Sequence, residues 1–185
     1  LLEAIDLHVG FVPRAIGIDA SRLTVVADRS AQVTAFDVAS GELLWRQRLS
    51  DAGVGSGGHG QDDLLAVGDA GGMVFALRCG EACEVVGRYR LAGDRDAESI
   101  RIQPMGPGLL VHGPGGAVAL DAAGALCWRT ETRLGEGALH HAVVGASRAA
   151  LISAIDPRTD PDRILARGES VTYRLHLLDR SGRAL

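Results

Sequence analysis

Apolar and polar positions alternate on a short scale along this chain. Runs such as Leu23-Thr24-Val25-Val26-Ala27, Leu64-Leu65-Ala66-Val67 and Leu109-Leu110-Val111 are bounded by clusters of Gly, Asp and Ser. Short aliphatic runs closed by turn residues predict strands. No stretch sustains the roughly 3.6-residue apolar period that a helix of about ten or more residues requires.

The runs repeat. Four stretches align: Leu23 to Leu49, Leu64 to Leu91, Leu109 to Leu134 and Ala149 to Leu185. Phe36, Leu77, Leu120 and Leu178 occupy one repeat position, with steps of 41, 43 and 58. Leu7, Leu49, Leu91 and Leu134 occupy another, with steps of 42, 42 and 43. The 58-residue step contains one long insertion. A period near 42 predicts the four-stranded blade of a β-propeller. In the first repeat, strand A is expected around Ala15 to Asp19, B at Leu23 to Ala27, C at Val33 to Asp37 and D from Glu42 to Leu49.

The turns support this reading. The B–C connections are Asp69-Ala70-Gly71-Gly72 in the second repeat and Gly113-Pro114-Gly115-Gly116 in the third. The C–D connections pair an opening Asp with a closing Gly: Asp37 with Gly41, Asp121 with Gly124, Asp179 with Gly182. Asp accepts backbone N–H bonds in such turns, and Gly takes the positive φ at low steric cost. The expected organisation is all-β, with one tract of antiparallel four-stranded blades over residues 1–185. Its blades are expected at 10–49, 50–91, 92–134 and 135–185, with 1–9 as the outer strand of a preceding or closing blade. The fourth blade stops where its strand D would begin. Two arrangements follow: part of a larger ring, or closure in which the N-terminal strand supplies the missing one. An open tract leaves faces uncovered, so the remaining blades or another chain are expected to complete the ring.

Composition narrows the function. The chain has 185 residues, 46% of them hydrophobic and 23% charged, which suits a folded domain rather than a disordered segment. The 25 Gly call for many turns. A net charge of −4 provides no basic field for nucleic acid. No apolar run is long enough for a membrane-spanning helix. The sequence begins at Leu1 without a leader pattern, so any export signal lies outside it.

The string Ala35-Phe36-Asp37-Val38-Ala39-Ser40-Gly41-Glu42-Leu43-Leu44-Trp45 resembles the repeat of pyrroloquinoline-quinone-like propellers. Ala119-Leu120-Asp121 through Gly124 to Trp128 repeats it, one residue shorter. Leu178-Asp179 and Gly182 match in the fourth blade. The second departs, with Arg78 for the Asp and no following Trp. The resemblance implies a ring of about seven or eight blades. It also implies that Trp45 and Trp128 dock between neighbouring blades rather than bind ligand. Quinone-dependent dehydrogenases of this family use an adjacent Cys pair, a stacking Trp and acidic calcium ligands. None of these residues can be placed here, so no cofactor, metal or catalytic residue is expected. The function expected is a protein-binding scaffold in the bacterial periplasm or outside the cell, as in envelope assembly factors and extracellular sensor domains. The alternative is part of a quinone-dependent dehydrogenase whose active-site blades are absent.

Cys79 and Cys83 flank a tight turn and form a candidate disulfide in an oxidising compartment; the alternative is a pair of thiols. Their spacing fits zinc poorly and no second pair exists. Cys127 is expected as a small buried hydrophobe. His140 and His141 would point to opposite faces of a strand and cannot easily share one metal. His8, His59, His112 and His176 show no ligand spacing. The insertion from Asp156 to Gly168 carries Asp156, Arg158, Asp160, Asp162 and Arg163, and is a candidate partner-contacting loop. It lacks the Gly and terminal Glu of a calcium-binding helix–loop–helix; a self-paired solvated loop is the alternative.

Overall fold

The structure, a computed structural model, describes residues 13–18, 22–27, 32–59, 63–91, 100–113, 115–131, 139–145, 148–154, 173–179 and 181–183. These form fifteen strands and no helix. The first sheet holds β1 (Pro13–Ile18), β2 (Arg22–Ala27), β3 (Gln32–Asp37) and β4 (Leu43–Arg48). The second holds β5 (Val54–His59), β6 (Leu64–Asp69), β7 (Met73–Cys79) and β8 (Cys83–Arg90). The third holds β9 (Arg101–Met105), β10 (Gly108–Gly113), β11 (Gly116–Leu120) and β12 (Leu126–Glu131). The fourth holds β13 (Leu139–Val144), β14 (Arg148–Ala154) and β15 (Tyr173–Asp179). Each sheet is an antiparallel meander in chain order.

The register carries the repeat into three dimensions. Phe36 lies opposite Leu23, Leu77 opposite Leu65, Leu120 opposite Leu109 and Leu178 opposite Ala149. The predicted strands of the first repeat overlap the observed ones and differ at their ends by one or two residues. Strand A begins earlier, at Pro13, because a bulge between Pro13 and Ala15 lets pairing continue to Ala27.

Burial explains the sequence pattern. The second and third strands of a sheet are covered by neighbouring sheets on both faces, so they read as continuous apolar runs. Every residue of β6, β10 and β11 is buried. The outer strands β4 and β8 are covered less and carry charges. Three apolar clusters lie between successive sheets. Val33 of the first meets Leu65, Val67 and Leu77 of the second. Ala66, Val74 and Ala76 of the second meet Leu109, Val111 and Leu120 of the third. Leu110, Ala117 and Trp128 of the third meet Ala149, Leu151 and Leu178 of the fourth.

The first strands pack in succession, β1 on β5, β5 on β9 and β9 on β13. Glycine permits one of these approaches. A Cβ on Gly58 would stand 2.7 Å from Cγ2 of Ile102. The sequence Val-Gly-Ser-Gly-Gly-His of β5 thus trades side-chain bulk for close approach of inner strands.

Candidate functional site

The turns between third and fourth strands are built alike in three sheets. Oδ1 of Asp37 accepts from the amides of Ala39 and Ser40 at 2.9 and 2.8 Å, and from the Ser40 hydroxyl at 3.0 Å. Oδ1 of Asp121 accepts from the amides of Ala123 and Ala125 at 2.8 and 2.9 Å. Oδ1 of Asp179 accepts from the Ser181 amide and hydroxyl at 2.8 and 2.7 Å and from the Arg183 amide at 3.0 Å. The Ser181 hydroxyl first, then the Arg183 amide, hold the Asp179 carboxyl below the usual carboxylate range. Gly41, Gly124 and Gly182 close these turns at φ of 73°, 80° and 78°.

The turn glycine has a second role. A Cβ on Gly182 would stand 2.7 Å from Cγ of Trp128, so the indole of the third sheet lies directly on the turn of the fourth. Trp128 is 7% exposed. It sits opposite Ala119, as Trp45 sits opposite Ala35. Trp45 is half-buried and packs on the cluster that contains Leu65 and Cys79. The indole Nε1 of each is buried without a hydrogen-bond partner among the described residues.

The second sheet solves the same packing problem differently. The residue opposite Ala76, where a Trp stands in the first and third sheets, is Gly87. The ring of Tyr89 folds back over it; a Cβ on Gly87 would stand 2.7 Å from Cε2 and Cζ of Tyr89. The Tyr89 hydroxyl donates to the carbonyl of Gly124 at 2.7 Å. Val86, at the bulge of this strand, covers Gly124: its Cγ2 is 2.7 Å from where a Cβ would stand. Arg78, in the place of the turn Asp, reaches the Ala122 carbonyl with Nη2 at 3.3 Å. Tyr89 was missed by sequence reasoning because it lies two residues beyond the Trp position. Its signal was the Gly at that position with an aromatic residue two along.

Without the Asp, the pairing of the second hairpin continues through Arg78 with Glu84, and Cys79 faces Cys83 across Gly80-Glu81-Ala82. The sulfurs are 3.1 Å apart, as thiols. Cys127 is exposed, contrary to expectation. Trp128 pairs with Ala119 and Leu126 with Leu120, so Cys127 is the extra residue of a bulge and lies outside the apolar cluster. His112 is buried, with Nε2 at 3.3 Å from Nε2 of Gln103. His176 is half-buried opposite Leu151. His59 and His140-His141 lie on β5 and β13, where the pairing of β13 slips between Leu139 and His141. His8 and the candidate loop residues Asp156, Arg158, Asp160, Asp162 and Arg163 lie outside the described residues. Among the described residues, no group of three or more His, Cys, Asp or Glu could hold a metal ion.

No protein-family model and no curated sequence matches this chain. Solved structures do. BamB from Moraxella catarrhalis superposes with a TM-score of 0.57 at 20% identity, over 93% of this chain and 46% of that one. The computationally designed Ika8 protein gives 0.62 at 13% identity, over 94% of this chain and 48% of that one. The chain thus spans about half the length of each. The computationally designed Ika4 protein also gives 0.62 at 13%, and there the chain covers 96% of its length.

The chain is a β-propeller.

In the propeller each blade presents a forward face to the next. On the third strands, this face is formed by Val33 and Ala35 in blade one, Val74 and Ala76 in blade two, and Ala117 and Ala119 in blade three, all fully buried. The register places Leu175 and Leu177 at these positions in blade four. They are 58% and 46% exposed. Leu43, Leu44 and Leu126 are also exposed, on outer strands next to the C–D turns.

Proposed function

We propose that this chain is a non-catalytic propeller scaffold for protein–protein interaction, of the pyrroloquinoline-quinone-like repeat type. The forward face of blade four carries the reading. Two leucines stand exposed at positions that the other blades bury completely against a following blade. Apolar side chains at such positions fit another blade surface, from the remaining blades of a ring or from another chain. The exposed Leu43, Leu44 and Leu126 add apolar surface on the outer strands, where a protein partner can be met without disturbing the packing between blades. The Asp-to-Gly turn with a Trp seated on the next blade's turn glycine supports the repeat type.

The residues described here do not suit a quinone–calcium centre. Cys79 and Cys83 are cross-strand partners rather than chain neighbours, and no acidic ligand set gathers beside Trp45 or Trp128 among the described residues. The scaffold reading places the chain in the periplasm or outside the cell, as an envelope-assembly component or a sensor domain. A photo-crosslinking side chain at position 177, introduced in the host cell, tests it. A protein adduct that disappears when Leu175 is replaced by Glu supports the scaffold. Alcohol-dependent dye reduction by the purified chain with the quinone and calcium overturns it.

A further inference from the structure

Blade two lacks the carboxylate that fastens the C–D turn of the other three blades. Arg78 stands in its place, and the hairpin is extended by the pair Cys79 and Cys83. The Cys79 amide donates to the Asp63 carbonyl of the neighbouring strand side at 3.0 Å, so its backbone polar groups point away from β8. Cys79 and Cys83 are therefore a non-hydrogen-bonded pair, the closer of the two antiparallel pair types. Such a pair brings Cα atoms into the range of about 4.4–6.8 Å that a disulfide requires. The sulfurs already touch, at 3.1 Å.

The two thiols differ in access. Cys79 is 7% exposed and belongs to the apolar cluster between blades one and two, whereas Cys83 is half-buried at its margin. A small molecule in solvent reaches Cys83 and not Cys79. The hydrogen bond from Cys79, ahead of the opposing effect of burial, also lowers the Cys83 thiol from its ordinary range.

We propose that Cys79 and Cys83 are a thiol–disulfide exchange site for low-molecular-weight disulfides, with Cys83 the attacking and Cys79 the resolving thiol. In the first step the Cys83 thiolate attacks one sulfur of the small disulfide. A Cys83–S–S bond forms, the small S–S bond breaks, and one small thiolate leaves. In the second step Cys79 loses its proton to solvent and attacks Sγ of Cys83. The Cys79–Cys83 bond forms, the mixed disulfide breaks, and the second small thiolate leaves. Both leaving thiolates take up protons, so two protein thiols are oxidised and one small disulfide is reduced to two thiols. The product closes covalently the one described C–D hairpin that has no Asp latch.

Glutathione disulfide and intact-mass measurement test the order of attack, in a chain whose Cys127 is replaced by Ser. The parent is expected to lose two hydrogen atoms without accumulating an adduct. Cys79→Ser is expected to accumulate a glutathione adduct at Cys83. Cys83→Ser is expected to stay unmodified while folded and to react once denatured. Cys79→Ala, which keeps a small apolar side chain in the cluster, is a second variant should the serine perturb folding. An adduct that forms equally on both single variants, or faster on Cys79, overturns the proposal. So does a parent that remains a dithiol. These results are independent of what the forward face of blade four binds.

Discussion

The hydroxyl of Tyr89 donates to the carbonyl of Gly124 at 2.7 Å, across the boundary between blades two and three. This bond exists because Gly87 leaves the Trp position empty for the tyrosine ring. Removing the hydroxyl in Tyr89→Phe is expected to cost about 1 kcal/mol. Gly87→Ala costs more, since the new Cβ displaces the ring, and Gly87→Trp with Tyr89→Thr recovers part of the loss. Burial, then the nearby Asp121 carboxylate, raise the Tyr89 phenol above its ordinary range. A raised acid favours the neutral form in the fold. Its contribution is complete below the unfolded value of about 10 and is lost as pH rises through the folded one. Urea midpoints measured across alkaline pH should show this loss in the parent and not in Tyr89→Phe.

Trp128 is the most deeply buried of the two blade-joining indoles. Trp128→Ala is expected to cost about 3–5 kcal/mol, by loss of burial and a cavity beside Leu178. Trp45→Ala should cost less, because that ring is half-buried. Gly182→Ala acts on the same contact from the other side. It forces a Cβ into the indole at a φ of 78°, so more than about 1 kcal/mol should be lost. Chemical denaturation of the three variants checks the ranking; equal small losses would mean that the rings do not join blades.

Asp179 ties the blade-four turn through three donors. Its folded pKa is depressed, so its stabilisation is present above the unfolded value of about 3.9 and is lost as pH falls through the folded value. Thermal midpoints between neutral and acid pH should therefore fall less steeply below that value in Asp179→Ala than in the parent. Identical slopes would show that the carboxylate does not hold the turn.

The long connection in blade four joins β14 to β15, whose pairing extends to Ala154 and Tyr173. A short Gly-rich turn can close that end of the hairpin. Replacing residues 156–168 by such a turn is expected to leave the melting temperature nearly unchanged, since loop length enters stability weakly, at about 0.6 kcal/mol per doubling. Partner crosslinking should fall if the loop serves binding. A chain that unfolds on deletion would mark the segment as structural.

Much of the architecture was legible because its determinants are local. The Asp and Gly of each turn act within five residues of one another: the amides of Gly41, Gly124 and Gly182 donate to the carbonyls of Asp37, Asp121 and Asp179. The second repeat, Leu64 to Leu91, could be aligned although Arg78 and the missing Trp break the pattern, because the apolar runs of β6 and β7 persist. Side-chain direction on the outer strands was less legible. One bulge residue in each of two blades turned Cys127 outward and let Val86 cover Gly124, and a one-residue slip reverses facing along a strand.

The sequence by itself determined the period, the number of strands in each complete blade and the chemistry of the turns, since each rests on backbone preferences of neighbouring residues. Tertiary structure alone decided that Tyr89 and Val86 replace a tryptophan and that Leu175 and Leu177 lie exposed where Ala117 and Ala119 are buried. The reason is that these outcomes depend on which surface stands opposite a side chain. That surface belongs to another strand or another blade, tens of residues away along the chain.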